Sequence, residues 1–170
     1  MNFYTTGILA LVSFYVLLLI VLFFFQSSLL YHPSADNYVQ DQVAREPTEI
    51  EKIKITTKDK IDLIGWFYNK NLMNFKTILF FHGNAGNLQN RIYKLNEIAE
   101  LEVNYLIIAY RGFSGNEGKP TEEGLYNDSM AAKRWLNSNN INDSNIILYG
   151  ESLGTAVAVD LGSKFPFAGI

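Results

Sequence analysis

Apolar positions along the chain fall into distinct rhythms, and each rhythm implies a different kind of element. From residue 7 to residue 25 the run GILALVSFYVLLLIVLFFF carries no charge. It has no polar side to offer water, and its length matches a helix crossing a bilayer core. Its fifteen Leu, Ile, Val and Phe residues give an insertion free energy on the order of −5 to −9 kcal/mol, as an upper bound. A cleaved leader would have a basic start and a small-residue cleavage site, whereas no Lys or Arg precedes this run and QSSLLYHP follows it. The expected organisation is a short tail over 1–6, a transmembrane anchor over 7–30, a polar tether over 31–50 and a folded region over 51–170. The tether contains PSADNYVQDQVAREPTE, with prolines toward both ends and no sustained apolar period. The first basic residue after the apolar run is Arg45 and none comes before it, so flanking charge sets no side of the membrane for the folded region.

After the tether the period shortens. KIKIT (52–56) and IDLIGWFYN (61–69) predict two strands of a hairpin joined across TKDK. Three short apolar runs follow, KTILFF (76–81), NYLIIAY (104–110) and NIILY (145–149), and each leads through a glycine-bearing loop into a helical pattern. In the first helix Leu88, Ile92, Leu95 and Ala99 recur at helical spacing. The second starts at Thr121 as N-cap, has Glu122 and Glu123 in its first turn and runs through Trp135 and Leu136. The third is TAVAVDLGSKF. The Asn-rich stretch from 137 to 145 is expected to be a loop. Strands that are apolar throughout need cover on both faces, so three strand–loop–helix units predict a mostly parallel sheet flanked by helices. In such sheets chemistry gathers at the carboxyl ends of the strands, which is where HGN, YRGFSG and GESLG fall.

Composition narrows the chemistry. The net charge is −3 and the 14 basic residues are scattered, so the clustered cations that nucleic acid requires are missing and no nucleic-acid partner is expected. There is no cysteine, and His32 and His82 stand far apart without metal-ligand spacing; no metal is expected. GFSGNEG lacks the spacing of a dinucleotide-binding loop. No cofactor is expected.

One stretch carries a reaction. Gly150, Ser152 and Gly154 form GxSxG between a strand and a helix, the turn that lifts a serine nucleophile above a sheet. The two glycines suit a turn that brings backbone and helix too close for a Cβ. Acyl transfer also needs donors for an oxyanion. The backbone N–H after the nucleophile, on Leu153, is one candidate; Asn84, in the loop Phe81–His82–Gly83–Asn84, is the candidate for the other.

The apolar N-terminal helix followed by LLYHP (29–33), FHGNAGN (81–87), YRGFSGNEGKPTEEGLYND (110–128) and YGESLGTAVA (149–158) resembles, in order and spacing, the α/β-hydrolases. Within them it is similar to the membrane-anchored "hydrolase domain containing" branch often labelled serine aminopeptidase-like. The resemblance implies the α/β-hydrolase fold, an N-terminal β-hairpin and a serine hydrolase acting on an ester, thioester or peptide bond of a small lipid-like or peptide acyl substrate. Its nucleophile maps onto Ser152 and its oxyanion loop onto His82 to Asn84, with His82 and Gly83 in support. The expected partner besides substrate is the lipid bilayer, through residues 7–25 in a single pass.

The chain also departs from that pattern. In this fold the triad acid and histidine follow the nucleophile, yet beyond Ser152 there is only Asp160 and no histidine. Asp160 lies eight residues along the helix, roughly 12 Å away at about 1.5 Å per residue, out of reach. FPFAGI reads as the approach to a sixth strand. The expectation is an amino-terminal part of a longer hydrolase, truncated after the nucleophile helix, with the triad Asp and His outside it and the 170 residues alone inactive. The competing expectation is a membrane-tethered pseudo-hydrolase that binds an acyl ligand or a protein without turnover. His32 reads as an interfacial residue beside Tyr31, His82 as a loop brace, Asp128 as a helix or loop partner, and Arg111 with Glu117 as a loop-bracing pair.

Overall fold

A computed structural model describes residues 2–34 and 50–170, in two compact units, Met1–His32 and Pro33–Ile170. Residues 35–49, most of the expected tether, lie outside the described residues. The first unit is a helix, α1 (Phe3–Leu30), of 28 residues, about 42 Å at 1.5 Å per residue. It begins four residues before the apolar run because Asn2 caps it: the Asn2 side chain accepts from the Thr5 N–H at 2.9 Å. The Thr5 and Thr6 hydroxyls donate to the Asn2 carbonyl. Such a cap satisfies donors that the first turn would leave unpaired.

The second unit is built on a five-stranded sheet. Strands β1 (Ile50–Thr56), β2 (Asp62–Tyr68), β3 (Lys76–Phe81), β4 (Val103–Ile108) and β5 (Ile146–Gly150) lie in the order β1–β2–β4–β3–β5. β1 and β2 form the predicted antiparallel hairpin, with Ile53 opposite Gly65. Its turn closes through Thr57 N–H to Ile61 O at 2.8 Å, with Lys60 at φ 65. β3 pairs in parallel with both β4 and β5, as strands joined by helical crossovers must. Burial follows pattern: β1 alternates from Ile53 onward, with Ile53 and Ile55 inside and Ile50 buried out of step at its start, whereas β3 and β4 are buried almost throughout.

Helices α2 (Ile92–Ala99), α3 (Glu122–Ser138) and α4 (Leu153–Gly162) cover the sheet. On β5, Leu148 faces α4, where it lies 3.4 Å from the space beside Gly162. The next residue, Tyr149, points to the other face and meets Lys94 of α2, because successive strand side chains alternate. A short 3₁₀ turn, Leu88–Arg91, leads into α2, and Asn87 caps it with reciprocal bonds to Asn90. Buried on this first helical stretch are Leu88, Leu95 and Ile98; Ile98 takes the place expected for Ala99. The reason is a change of period, since a 3₁₀ turn advances three residues per turn and shifts the phase of the α-helix after it.

Thr121 caps α3, accepting from the Gly124 N–H at 3.0 Å, and the helix runs on to Ser138. The Asn-rich stretch is therefore partly helical, and Asn137 ties the turn after it by donating to Ile141 O and Asp143 Oδ1, both at 2.9 Å. Past β5, Ala168 N–H donates to Ile146 O at 2.8 Å and Leu148 N–H to Gly169 O at 2.9 Å. Residues 168–169 thus pair in parallel with the outer side of β5.

Candidate functional site

The site is assembled where β3, β4 and β5 end. β5 stops at Gly150 and α4 starts at Leu153, so Glu151 and Ser152 make the whole turn. Ser152 sits at φ 52, ψ −114, a region that costs a non-glycine residue on the order of 1–3 kcal/mol and persists only where surroundings impose it. Here they do. Glu151 N–H donates to Phe81 O at 2.9 Å, Gly154 N–H to Glu151 O at 2.8 Å and Thr155 N–H to Ser152 O at 2.9 Å. A Cβ on Gly150 would lie 2.5 Å from Gly154 O, and one on Gly154 would overlap the Phe81 carbonyl. The Ser152 side chain is exposed, and its Oγ has no hydrogen-bond partner among the described residues.

Leu153 opens α4, so its N–H falls among those that a helix cannot pair internally. It meets no acceptor among the described residues and carries the positive end of the helix dipole. The loop after β3 lies alongside: the space beside the Gly83 Cα is bounded by Glu151 O at 3.6 Å and Glu151 Oε1 at 3.4 Å. The HGN loop and the serine turn, far apart in sequence, are neighbours.

His82 is buried, 2% exposed, and both ring nitrogens are engaged. Nδ1–H donates to Gly83 O at 2.7 Å, and Nε2 accepts from Tyr110 N–H at 3.3 Å. That pairing assigns the neutral ring with its proton on Nδ1. Burial, above all, pushes its pKa down to about 4. Tyr110 and Phe113 flank the ring with centroids at 4.2 and 5.0 Å. The Tyr110 hydroxyl is itself buried and makes no hydrogen bond among the described residues. A ring in this setting has no free nitrogen with which to take a proton from Ser152.

The loop after β4 braces the loop after β3. Ser114, at φ 53, accepts from Leu88 N–H at 3.0 Å. Asn116 donates to Ala109 O and Tyr110 O and accepts from Ile64 N–H. Arg111 is a brace, but its partners differ from the Glu117 expected for it. It makes paired bonds to Asp59 at 2.7 and 3.1 Å and donates to Asp128 through Nε and Nη2 at 3.0 and 2.8 Å. The end of β4 carries Arg111 to the hairpin turn, where Asp59 sits, and Glu117 accepts through its carbonyl from Gly112 N–H. The Arg111 bonds hold the Asp59 carboxyl down at about 2. Burial raises that of Asp128, partly offset by Arg111.

Glu151, inside the GxSxG motif, was not singled out by sequence. Its carboxylate meets Lys94 at 2.8 Å and Arg91 at 3.5 Å. Burial works against its charged form, yet the Lys94 hydrogen bond and the two cations outweigh it and hold its pKa low; the same bond raises Lys94. The one available signal was a pair of cations, Arg91 and Lys94, one turn apart immediately after the HGN loop. Asp160, on α4, is bound at 2.7 Å to Lys164, just past the end of that helix. Among the described residues no group of three or more His, Asp or Glu is placed to hold a metal.

No family model matches the chain. Among curated proteins it is 35% identical over 149 residues to protein bem46 of Schizosaccharomyces pombe, covering 82% of this chain and 49% of that protein. It is 34% identical over 119 residues to the alpha/beta hydrolase domain-containing protein WAV2 of Arabidopsis thaliana, covering 68% and 39%. The chain thus spans about half or less of the length of these relatives. Among solved structures, the esterase Pf2001 of Pyrococcus furiosus superposes with a TM-score of 0.61 at 23% identity, over 81% of this chain and 52% of that one. An alpha-beta hydrolase of Vibrio vulnificus superposes with 0.59 at 27% identity, over 69% and 41%. Taken with the sheet order, the strand-to-helix serine turn and the loop beside it, these similarities show that the chain belongs to the α/β-hydrolase superfamily.

Proposed function

We propose that the chain forms the nucleophile-bearing part of a serine hydrolase that cleaves acyl bonds, with esters as the first substrate class, and that α1 anchors it to a membrane in a single pass. The observation that carries this reading is Ser152 itself: exposed, held at φ 52 at the head of α4, and followed by an N–H with no acceptor among the described residues. The esterase named among the structural relatives supports the ester class. In the proposed reaction Ser152 Oγ attacks the acyl carbonyl, and the N–H groups of Leu153 and Asn84 hold the oxyanion that develops. The tetrahedral species collapses, the leaving group departs with a proton, and water later releases the acyl group from Ser152. His82 does not serve as base, because both its nitrogens are bound. The proton from Ser152 therefore passes to a histidine outside these 170 residues, oriented by an acid also outside them. Support for that assignment comes from protein bem46, of which the matched region makes up 49%.

The test is turnover of short-chain p-nitrophenyl esters by the full-length protein and by its Ser152→Ala variant. We expect the variant to lose at least ~10³-fold in kcat/KM. Equal turnover by both would end the reading. No turnover by either, with retained binding of an acyl ligand, would favour the pseudo-hydrolase.

A further inference from the structure

We propose that Arg91 is a positioning residue that sets the spacing between the two oxyanion donors, acting together with Glu151 and Lys94. The inference rests on the assignment of Ser152 as nucleophile. The two donors belong to separate segments, Asn84 in the loop after β3 and Leu153 at the start of α4, and catalysis depends on the distance between them. Arg91 touches both segments. Its Nη2 donates to Ala85 O at 3.0 Å, one residue past Asn84, and its Nε lies 3.5 Å from Glu151 Oε1, two residues before Leu153. Lys94, one turn along, holds the other carboxylate oxygen at 2.8 Å. The residue between the segments is Gly83, and the space where its Cβ would stand is bounded by Glu151 Oε1 at 3.4 Å and Arg91 Nη2 at 3.6 Å.

This is a built arrangement. The Arg91 side chain is only 11% exposed and that of Glu151 26%, so neither charge is fully screened by water. The planar guanidinium suits two partners at a fixed angle, which a lysine ammonium does not. Arg91 Nε is buried and makes no hydrogen bond among the described residues, so a slight closure onto Glu151 would satisfy a donor left open, as site hydrogen bonds do when substrate binds. Two cations also face one carboxylate, which leaves a net positive charge beside the point where the oxyanion develops.

The experiment uses the full-length protein and its Arg91→Met, Arg91→Lys, Glu151→Gln and Ser152→Ala variants, with ester turnover, thermal melting and the backbone amide resonances of Asn84 and Leu153 as readouts. We expect Arg91→Met to lower kcat by ~10- to 100-fold while KM changes less than about threefold. The Asn84 and Leu153 amides should both shift, while those of β1 and β2 stay in place. Arg91→Lys should remain defective, since it keeps charge but loses the fork. If Arg91→Met fails to fold, the nearly isosteric Glu151→Gln takes its place, with an expected loss of about 3- to 10-fold in kcat. Unchanged kcat, full rescue by Arg91→Lys, or unmoved Asn84 and Leu153 amides would overturn the proposal while leaving Ser152 in its role. Undiminished turnover by Ser152→Ala would instead overturn the nucleophile assignment and this inference with it.

Discussion

Ser152 and His82 show how the same loops make one side chain available and another unavailable. Ser152 is held in a strained turn with its hydroxyl unbonded among the described residues, whereas His82 spends both nitrogens on the backbone. The cost of burying His82 gives a pH signature. Its folded pKa of about 4 lies below the ordinary value near 6.5, so between these values the unfolded chain binds a proton that the folded chain refuses. The associated stability is fully present above about pH 6.5 and is lost as pH falls toward 4, on the order of 3 kcal/mol over the window. Melting curves of the protein and of His82→Gln should converge in slope above pH 7 and diverge between 6.5 and 4, with only the native chain destabilised through that histidine. Parallel curves would contradict the burial account. A second residue-scale prediction concerns Asp128, fully buried against Arg111. Asp128→Ala strips that guanidinium of its buried partner, and urea unfolding should show a loss of about 3–5 kcal/mol; a loss under about 1 kcal/mol would mean that Asp59 alone satisfies Arg111.

At the level of elements, the strands and helices were legible because each is written in its own period, and the departures have local causes. The β4 ladder ends at Ile108 rather than at residue 110 because the chain turns there, bringing Tyr110 N–H to His82. Helix α2 buries Ile98 rather than Ala99 because a 3₁₀ turn precedes it. The serine motif and its loop were legible as residues. Their bracing was not, since Arg91–Glu151 and Arg111–Asp59 join positions that only the folded sheet brings together. For α1, length and composition fit either an anchor or a leader, and the proposed anchor makes a prediction. Leu17→Arg with Leu18→Arg raises the insertion free energy by about 6–8 kcal/mol, enough to offset the apolar run. The native protein should stay with membranes through alkaline carbonate extraction with an intact amino terminus, and the double variant should be released. A native protein found soluble and shortened at its start would mark a cleaved leader instead.

In the second unit, the sheet places two loops and one helix start around a single serine. β3 lies between β4 and β5, so the loop leaving it is flanked on one side by the Arg111–Asn116 segment and on the other by the serine turn. This convergence is what would make Ser152 a nucleophile, as proposed. The most direct test is mass spectrometry of the full-length protein after exposure to a fluorophosphonate, followed by peptide mapping. The expected result is one covalent phosphonyl adduct per chain, on Ser152, absent from Ser152→Ala. An unmodified Ser152, or an adduct that persists on another residue in the variant, would contradict it.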